Sequence, residues 1–261
     1  MVLIFDMDGV LVRSTFFSER MLEMLCQRFQ DHNISIERTD IFQDILKLFV
    51  RKLGEEDKVG AYDWDLLARE YLEEYNITWT CEIEDFFNSG EIAEYTCLYK
   101  DTEVLEWLLQ KGYTMVILTN GLDKYQNIVI EKLGLQKFFK KTIMPIPKVL
   151  NFVKPDLEIF RLATEGFQGP HTMIGDSLFF DIYGAKKAGY NSIWIVRRLP
   201  KKYKELSIRA RTEEINQNDK FLLRHILRSA PFLKVSSQPI DPNDFKPDYI
   251  IKSLQELKEL F

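Results

Sequence analysis

Two aspartates near the start of the chain are the first residues whose types and spacing suggest chemistry. Asp6 and Asp8 follow the apolar run Val-Leu-Ile-Phe and are followed at once by Gly9. An uninterrupted apolar run predicts a buried strand, and in an open parallel sheet ligands bind outside the carboxyl ends of the strands. Two carboxylates at such an end repel each other unless a cation lies between them, and Mg²⁺ prefers oxygen ligands. By itself, however, an Asp-x-Asp pair is only a weak sign of a metal site.

Further polar residues follow later apolar runs or open later helices. They are Thr119 and Asn120 after Met-Val-Ile-Leu, Asp176 after Thr-Met-Ile-Gly, Asp181 five residues further on, and Lys154 immediately before Pro155. A residue before proline is held extended, and proline suits the first turn of a helix, so we expect Lys154 in a fixed loop with Pro155 opening a helix. The carboxyl-end rule predicts that all these side chains meet in one crevice.

This inventory suits phosphoryl transfer. A carboxylate nucleophile divides hydrolysis into formation and breakdown of an aspartyl phosphate. A second carboxyl group protonates the leaving oxygen and later activates water, while a metal ion and polar donors offset charge on the phosphoryl group. The predicted roles are Asp6 as nucleophile, Asp8 as general acid and base, Thr119 and Asn120 as phosphate donors, Lys154 as catalytic and phosphate-binding counter-charge, and Asp176 as metal ligand.

The motifs resemble those of the haloacid dehalogenase-like (HAD) hydrolases, in the same order along the chain. The matching segments are Asp6-Met-Asp8-Gly9-Val-Leu, Leu-Thr119-Asn120-Gly, Lys154-Pro-Asp-Leu-Glu-Ile-Phe and Gly175-Asp176-Ser-Leu-Phe-Phe-Asp181. The resemblance implies a Rossmann-like core, nucleophilic catalysis by Asp6 and a mobile helical cap inserted after the first motif. It also implies Mg²⁺ bound by the Asp6 carboxylate, the Asp8 backbone carbonyl and Asp176, with Asp181 in support.

The intervening sequence predicts the elements that position these residues. Strands alternating with helices predict an α/β fold with a doubly wound parallel sheet. Residues 14–100 instead show helical periodicity throughout, which predicts a small all-helical cap domain. The core is therefore assigned to residues 1–13 and 101–261, with residues 197–246 as an extra insertion between the last two strands.

Composition narrows the class of protein. The formal net charge of −5 argues against a nucleic-acid-binding surface spread over the whole molecule. The three cysteines are widely spaced and fit neither a disulfide framework nor a zinc motif. Because no signal peptide and no membrane-spanning run is recognisable, we expect a cytoplasmic protein whose partner is a small phosphorylated metabolite rather than nucleic acid or membrane. The sequence leaves the oligomeric state open.

Several of these residues have structural interpretations as well. Asp176 could be a helix N-cap, and Asp181 could be a carboxylate favoured by the helix dipole. Arg13, at the hinge into the helical region, could bind a second anionic group of the substrate, although a structural role is favoured because exposed arginines usually make modest contacts. Residues 197–228, the basic stretch, contain ten Lys and Arg against four Asp and Glu. The stretch could contact an anionic partner, but solvated helices with basic side chains produce the same pattern, and that interpretation is favoured.

The sequence thus predicts a Mg²⁺-dependent phosphatase that hydrolyses a small phosphorylated metabolite through an aspartyl phosphate. A phosphomutase of the same family is an alternative, because it uses the same motifs and shields the intermediate from water. A binding or regulatory protein that has kept the fold and lost turnover is a second alternative, since a fold alone does not fix a function.

Overall fold

The computed structural model describes residues 1–54, 58–235 and 239–261. Its strands are β1 (Val2–Phe5), β2 (Val12–Ser14), β3 (Thr96–Leu98), β4 (Thr114–Leu118), β5 (Lys141–Ile143), β6 (His171–Gly175), β7 (Asn191–Ile195) and β8 (Tyr249–Ile251). Its α-helices are α1 (Leu22–Asp31), α2 (Arg38–Leu53), α3 (Trp64–Glu73), α4 (Ile83–Ser89), α5 (Ile92–Tyr95), α6 (Val104–Gln110), α7 (Asp123–Lys132), α8 (Leu157–Thr164), α9 (Gly184–Lys187), α10 (Lys201–Lys204), α11 (Ile208–Asn216), α12 (Asp219–Ser229) and α13 (Leu257–Leu260).

A six-stranded parallel sheet in the order β5-β4-β1-β6-β7-β8 forms the centre of the molecule. The side chains of β1 alternate between two apolar layers. Leu3 and Phe5 belong to a cluster that includes residues of α6 and α7, whereas Val2 and Ile4 pack with residues of α8 and α9. Because helices cover both faces, every residue of β1 is buried. The predicted doubly wound α/β fold is confirmed.

Two short strands mark where the chain leaves the sheet and returns. β2 and β3 pair antiparallel, with Arg13 opposite Cys97. Between them lies the first helical segment (residues 17–95), which contains α1 to α5 and two short helical turns at Phe17–Met21 and Lys58–Tyr62. Its apolar residues join those of the sheet in one continuous cluster. The periodicity predicts helices over residues 14–100, and helices form within residues 17–95, whereas Thr96–Leu98 of the predicted range form β3. The assignment of a separate cap domain stays a prediction.

A second helical segment (residues 201–245) lies between β7 and β8 and contains α10, α11 and α12. It packs on Trp194 of β7 and Ile250 of β8. Arg211 of α11 is fully buried, and its guanidinium binds both carboxylate oxygens of Glu256 at 2.7 and 2.9 Å. A bidentate pair of this kind satisfies the buried charge, so at least one residue of the basic stretch has a structural role.

One predicted helix boundary is wrong. The sequence places Pro155 in the first turn of a helix, but α8 begins at Leu157. Residues 153–156 instead form a tight turn, in which the Asp156 N–H donates to the Val153 carbonyl at 2.8 Å. Lys154 therefore lies in this turn and three residues ahead of the helix.

None of the helices in the described ranges is long and apolar enough to cross a membrane.

Candidate active site

The carboxyl ends of β1, β4 and β6 meet at one edge of the sheet and bring the predicted polar residues together. Asp6 directly continues β1, and its N–H donates to the Ile174 carbonyl of β6 at 2.9 Å. The loop after β1 then turns through Gly9, whose φ is +81°. A Cβ atom at this position would collide with the Asp176 carboxylate. Glycine is therefore required here both for the backbone conformation and for the close approach of the two loops.

Lys154 forms the electrostatic centre of this site. Its ammonium donates to Asp6 Oδ1 at 2.5 Å and to Asp181 Oδ1 at 2.6 Å. All three side chains are buried, with exposed fractions of 7% for Asp6, 3% for Lys154 and 0% for Asp181. The second oxygen of Asp181 accepts the Ser177 N–H at 2.9 Å. Asp181 is thus held on both sides, and it orients the lysine toward Asp6.

The pKa values reflect this crowding of charge. Burial raises the pKa of Asp6 well above its usual range, Lys154 opposes that rise, and the nearby Asp181 and Asp176 add to it. Burial lowers the pKa of Lys154, but the attraction of Asp181 and Asp6 outweighs burial and the net pKa is raised. Lys154 is therefore charged at neutral pH, and the carboxylates around it gain from any further cation.

Asp8 occupies a different environment from Asp6. It is accessible from the cavity above the site, and its Oδ2 accepts a hydrogen bond from Gln126 Nε2 of α7 at 2.9 Å. Desolvation raises the pKa of Asp8, while the Gln126 hydrogen bond and the charge of Lys154 oppose the rise. A raised carboxyl pKa suits a group that must first donate and then accept a proton near neutral pH. Sequence reasoning missed Gln126, and no motif points to it.

Thr119 and Asn120 lie at the end of β4, and the Asn120 side chain has partners within the protein. Its Oδ1 accepts the Lys154 N–H at 2.7 Å, and its Nδ2 donates to the Tyr62 hydroxyl at 2.8 Å and to the Lys154 carbonyl at 3.3 Å. Asn120 therefore fixes the backbone of the lysine and contacts the first helical segment. The Thr119 hydroxyl accepts the Gly121 N–H at 3.2 Å, and its own proton is available to an acceptor in the cavity. The phosphate-donor roles of both residues stay predictions.

Three carboxylates lie close enough together to hold a metal ion. Oxygen atoms of Asp6, Asp176 and Asp181 lie within 4.8 Å of one another. Desolvation and the charges of Asp181 and Asp8 raise the pKa of Asp176 to about 7, although the positive charges of Lys154 and Arg197 oppose this rise. A set of hard oxygen donors with excess negative charge fits a divalent cation such as Mg²⁺. The predicted ligands Asp6 and Asp176 belong to this set, and the ligand role of the Asp8 carbonyl stays a prediction.

Arg197 anchors the loop that carries Asp8, and sequence reasoning did not single it out. Its Nε donates to the Gly9 carbonyl at 2.9 Å and its Nη2 donates to the Val10 carbonyl. Its Nη1 pairs with Asp101 Oδ2 at 2.8 Å. The guanidinium also lies 3.6 Å from the centroid of the Tyr99 ring. The one signal in the sequence was its position two residues after the end of β7, at the start of the basic stretch.

Arg13 lies outside the cavity over Asp6. It is exposed on β2 and is absent from the described residues that line the cavity over Asp6, which do include its neighbour Ser14. Burial raises the pKa of the Tyr99 hydroxyl; the positive charges of Arg197, Arg13 and Arg198 oppose that rise, and Asp176 adds to it. Whether Arg13 contributes to substrate selectivity stays a prediction.

A cavity of about 540 Å³ lies between the sheet edge and the first helical segment, a size that suits a small organic ligand. Its floor is the polar site, and its walls above the floor are mostly aromatic; this upper part is the aromatic chamber. The rings that line the chamber are Phe16, Phe17, Phe49, Tyr62, Trp64, Phe87, Tyr125 and Phe180. Most of them belong to the first helical segment, so part of its aromatic content faces the site and is not confined to its core.

Comparisons with known proteins agree with the motifs and the fold. A family model described as haloacid dehalogenase-like hydrolase matches residues 1–189. The chain is 26% identical over 196 residues to a glyceraldehyde 3-phosphate phosphatase of Pyrococcus abyssi, covering 74% of this chain and 80% of that protein. It is 31% identical over 106 residues to a phosphoserine phosphatase of Thermus thermophilus, covering 39% of this chain and 42% of that protein.

Solved structures share the fold over nearly the whole chain. A crystal structure of a HAD phosphatase from Thermococcus onnurineus superposes with a TM-score of 0.67 at 23% identity, covering 99% of this chain and 96% of that one. The hydrolase YfnB of Bacillus subtilis, solved with bound magnesium, superposes with a TM-score of 0.59 at 21% identity, covering 99% and 97%. The second helical segment lies beyond the part matched by the family model.

Proposed function

We propose, from the premise that the chain belongs to the haloacid dehalogenase-like hydrolases, that it hydrolyses the phosphate ester of a small metabolite in the presence of Mg²⁺. Phosphatase activity is supported by its similarity to proteins named as phosphatases. The observation that carries the proposal is the position of Asp6, which lies 2.5 Å from the Lys154 ammonium at the floor of a cavity that Asp8 also lines.

The reaction begins with attack of an Asp6 oxygen on phosphorus. The bond between phosphorus and the ester oxygen breaks, and Asp8 gives its proton to the departing alkoxide. Lys154 stabilises negative charge on the phosphoryl oxygens, and Asp181 keeps the lysine in place. The product of this step is a phosphate bound covalently to Asp6.

The second half of the reaction regenerates the enzyme. Asp8, now ionised, takes a proton from a water molecule, and the resulting hydroxide attacks phosphorus. The bond between phosphorus and the Asp6 oxygen breaks, which releases inorganic phosphate and restores the Asp6 carboxylate. When bound, Mg²⁺ screens the repulsion between the Asp6 carboxylate and the dianionic ester, and Asp6 and Asp176 are the side chains that would hold it, with Asp181 beside them.

The test is a burst experiment with Asp8→Asn and p-nitrophenyl phosphate. Because p-nitrophenolate leaves without a proton, the variant should still phosphorylate Asp6, but it lacks the base for the second step. We expect Mg²⁺-dependent release of about one equivalent of p-nitrophenolate per protein, followed by almost no turnover, with a phosphorylated Asp6 peptide detected by mass spectrometry. The wild-type protein should turn over continuously and stop when EDTA is added.

The other outcomes identify the alternatives. If neither the wild-type protein nor Asp8→Asn releases p-nitrophenolate, and both still bind phosphate esters, the chain is a binding protein without turnover. A protein that transfers phosphate to an added sugar phosphate faster than to water is a phosphomutase. Continuous turnover by Asp8→Asn on alkyl phosphates would contradict the role assigned to Asp8.

A further inference from the structure

A second crevice, of about 660 Å³, adjoins the cavity over Asp6 on the side of the second helical segment. The two spaces have lining residues in common and are therefore adjacent. The residues that line both are Gly9, Ser14, Ser18, Asp176, Ser177 and Ser229. Ser229 is the last residue of α12, so the second helical segment reaches the edge of the active site. We call this space the basic crevice.

The charged side chains that line the basic crevice are mostly arginines. Arg197, Arg198 and Arg228 face it, against the single carboxylate of Asp176. The hydrogen-bonding nitrogens of Arg197 are used by Asp101 and by the loop carbonyls. Arg198 and Arg228 are exposed, and within residues 1–54, 58–235 and 239–261 neither forms an ion pair. Two guanidinium groups are therefore free to bind an anion.

Groups from the neighbouring elements reinforce this positive potential. Tyr99, which lines the crevice, has its pKa raised by burial and lowered by Arg197, Arg13 and Arg198, with Asp176 opposing the arginines. Arg13 thus contributes charge from the β2 side although it does not line the aromatic chamber. His225 also lines the crevice, but desolvation and the nearby Arg228 and Arg224 lower its pKa, so it is uncharged at neutral pH. The excess positive charge belongs to arginines.

We propose that the basic crevice binds a second anionic group, a phosphate or a carboxylate, of the same substrate whose phosphate ester is cleaved at Asp6. This inference rests on the proposed phosphatase function. Arginine matches both groups, because its planar fork donates two parallel hydrogen bonds to a carboxylate or a phosphate. The shared wall at Asp176 and Ser177 places the crevice beside the reaction centre, so a tether between the two anions makes binding of the second group intramolecular.

The test compares alkanediol bisphosphates of two to six carbons with monoalkyl phosphates of the same chain length. The leaving group is a primary alkoxide in both series, so differences in kcat/KM report binding of the second anion. We expect at least one length at which the bisphosphate is preferred roughly tenfold, beyond the factor of about two that two equivalent phosphates give. The preference should have a maximum at one length, because a tether that is too short cannot span the two sites.

The arginine variants identify the site of that preference. Arg198→Ala and Arg228→Ala should each lower the ratio of kcat/KM for the bisphosphate to kcat/KM for the monophosphate roughly fivefold, mainly through KM. Lys220→Ala is the matched control, because Lys220 is an exposed cation on the same helix α12 and is not among the described residues that line the crevice. It should leave the ratio unchanged.

Raising the ionic strength separates this proposal from a general preference for larger substrates. The bisphosphate preference should fall as salt is added, because exposed charges are screened beyond about 8 Å at 0.15 M salt. A preference that is equal at all chain lengths, or that survives in both arginine variants, overturns the proposal and leaves the phosphatase function intact. Absence of hydrolysis of every monoalkyl phosphate and of p-nitrophenyl phosphate would instead contradict the phosphatase function itself.

Discussion

The two helical segments border the same edge of the sheet, but the first presents aromatic side chains there and the second presents a basic side chain. The first segment contributes aromatic rings to the chamber above Asp6. The second segment contributes Arg228 to the basic crevice, together with Arg197 and Arg198 that lead into it. Among the described residues that line the whole cavity, the charged side chains all come from the sheet edge, the loops beside it and the helical turn Leu178–Tyr183. The proposed catalytic groups thus belong to the sheet edge, and the two segments surround them with different kinds of side chain.

This difference separates two ways of recognising a substrate. Apolar walls favour burial of an organic group by an amount that depends on contact area and hardly on salt. Guanidinium groups favour a second anion by an amount that falls with salt and depends on where that anion lies. The same core can therefore serve substrates of different classes without any change in its chemical groups. Variants and changes of pH separate the two contributions, and replacement of Asp6 should have the largest effect.

Replacement of Asp6 tests whether this residue is the nucleophile for both kinds of substrate. Asp6→Asn should lower kcat at least about a thousandfold for monoalkyl phosphates and for bisphosphates alike, because the amide cannot form the aspartyl phosphate. Steady-state release of phosphate from both series is the measurement. Unchanged thermal unfolding would show that the variant is folded. Retained turnover of bisphosphates alone would mean that the basic crevice has chemistry of its own.

The pH dependence of Mg²⁺ binding tests whether the pKa of Asp176, which lies between the cavity and the basic crevice, is raised. With the pKa of Asp176 near 7 in the metal-free protein, this carboxyl carries a proton below pH 7 and must release it to bind Mg²⁺. Apparent affinity should therefore weaken by about tenfold per pH unit below 7 and level off above 8. Calorimetry in two buffers with different ionisation enthalpies measures the proton release directly. Affinity independent of pH between 5.5 and 8 would contradict the raised pKa.

Arg197 should affect catalysis without affecting the choice of substrate. Arg197→Lys keeps the charge but loses the fork that holds Gly9 and Val10, so the loop carrying Asp8 becomes less well positioned. We expect kcat to fall roughly tenfold for both substrate series, with the bisphosphate preference unchanged. A change in that preference equal to the one in Arg198→Ala would show that Arg197 binds the second anion itself.

The aromatic chamber should respond to the loss of a ring. Trp64 lines the chamber and stacks on Phe17 with centroids 4.8 Å apart. Trp64→Leu should raise KM for 2-phenylethyl phosphate roughly threefold to tenfold, with a smaller change for butyl phosphate. Tyr75→Leu is the control, because Tyr75 packs on Phe29 at 4.9 Å and does not appear among the described residues lining the chamber. An equal effect of both variants would indicate loss of stability of the segment instead of loss of a substrate contact.

Many residues of the candidate site could be predicted from the sequence, because the patterns that mark strand ends are local. Apolar runs that end in Asp6, Thr119 and Asp176 predict strand ends, and the parallel-sheet rule then predicts that these ends meet. The sequence could not show that Asn120 holds the backbone of Lys154, because that contact joins two loops far apart in the chain. The turn at residues 153–156 was missed for a related reason. The rule for proline in a first helical turn describes a preference, and the loop between β5 and α8 adopted another conformation.

The sequence alone determined the order of the motifs, the parallel sheet and the helical character of the segment that follows β2. These features depend on residue periodicity and on short-range turn chemistry, both of which can be read along the chain. Only the tertiary structure decided that Gln126 contacts Asp8, that Arg197 holds the loop after β1, and that Arg198 and Arg228 face a crevice beside Asp176. A basic stretch has the same composition whether its arginines meet solvent, a buried glutamate or a ligand. The packing of the second helical segment against β7 and β8 selects among these environments, and that packing depends on contacts between residues distant in sequence.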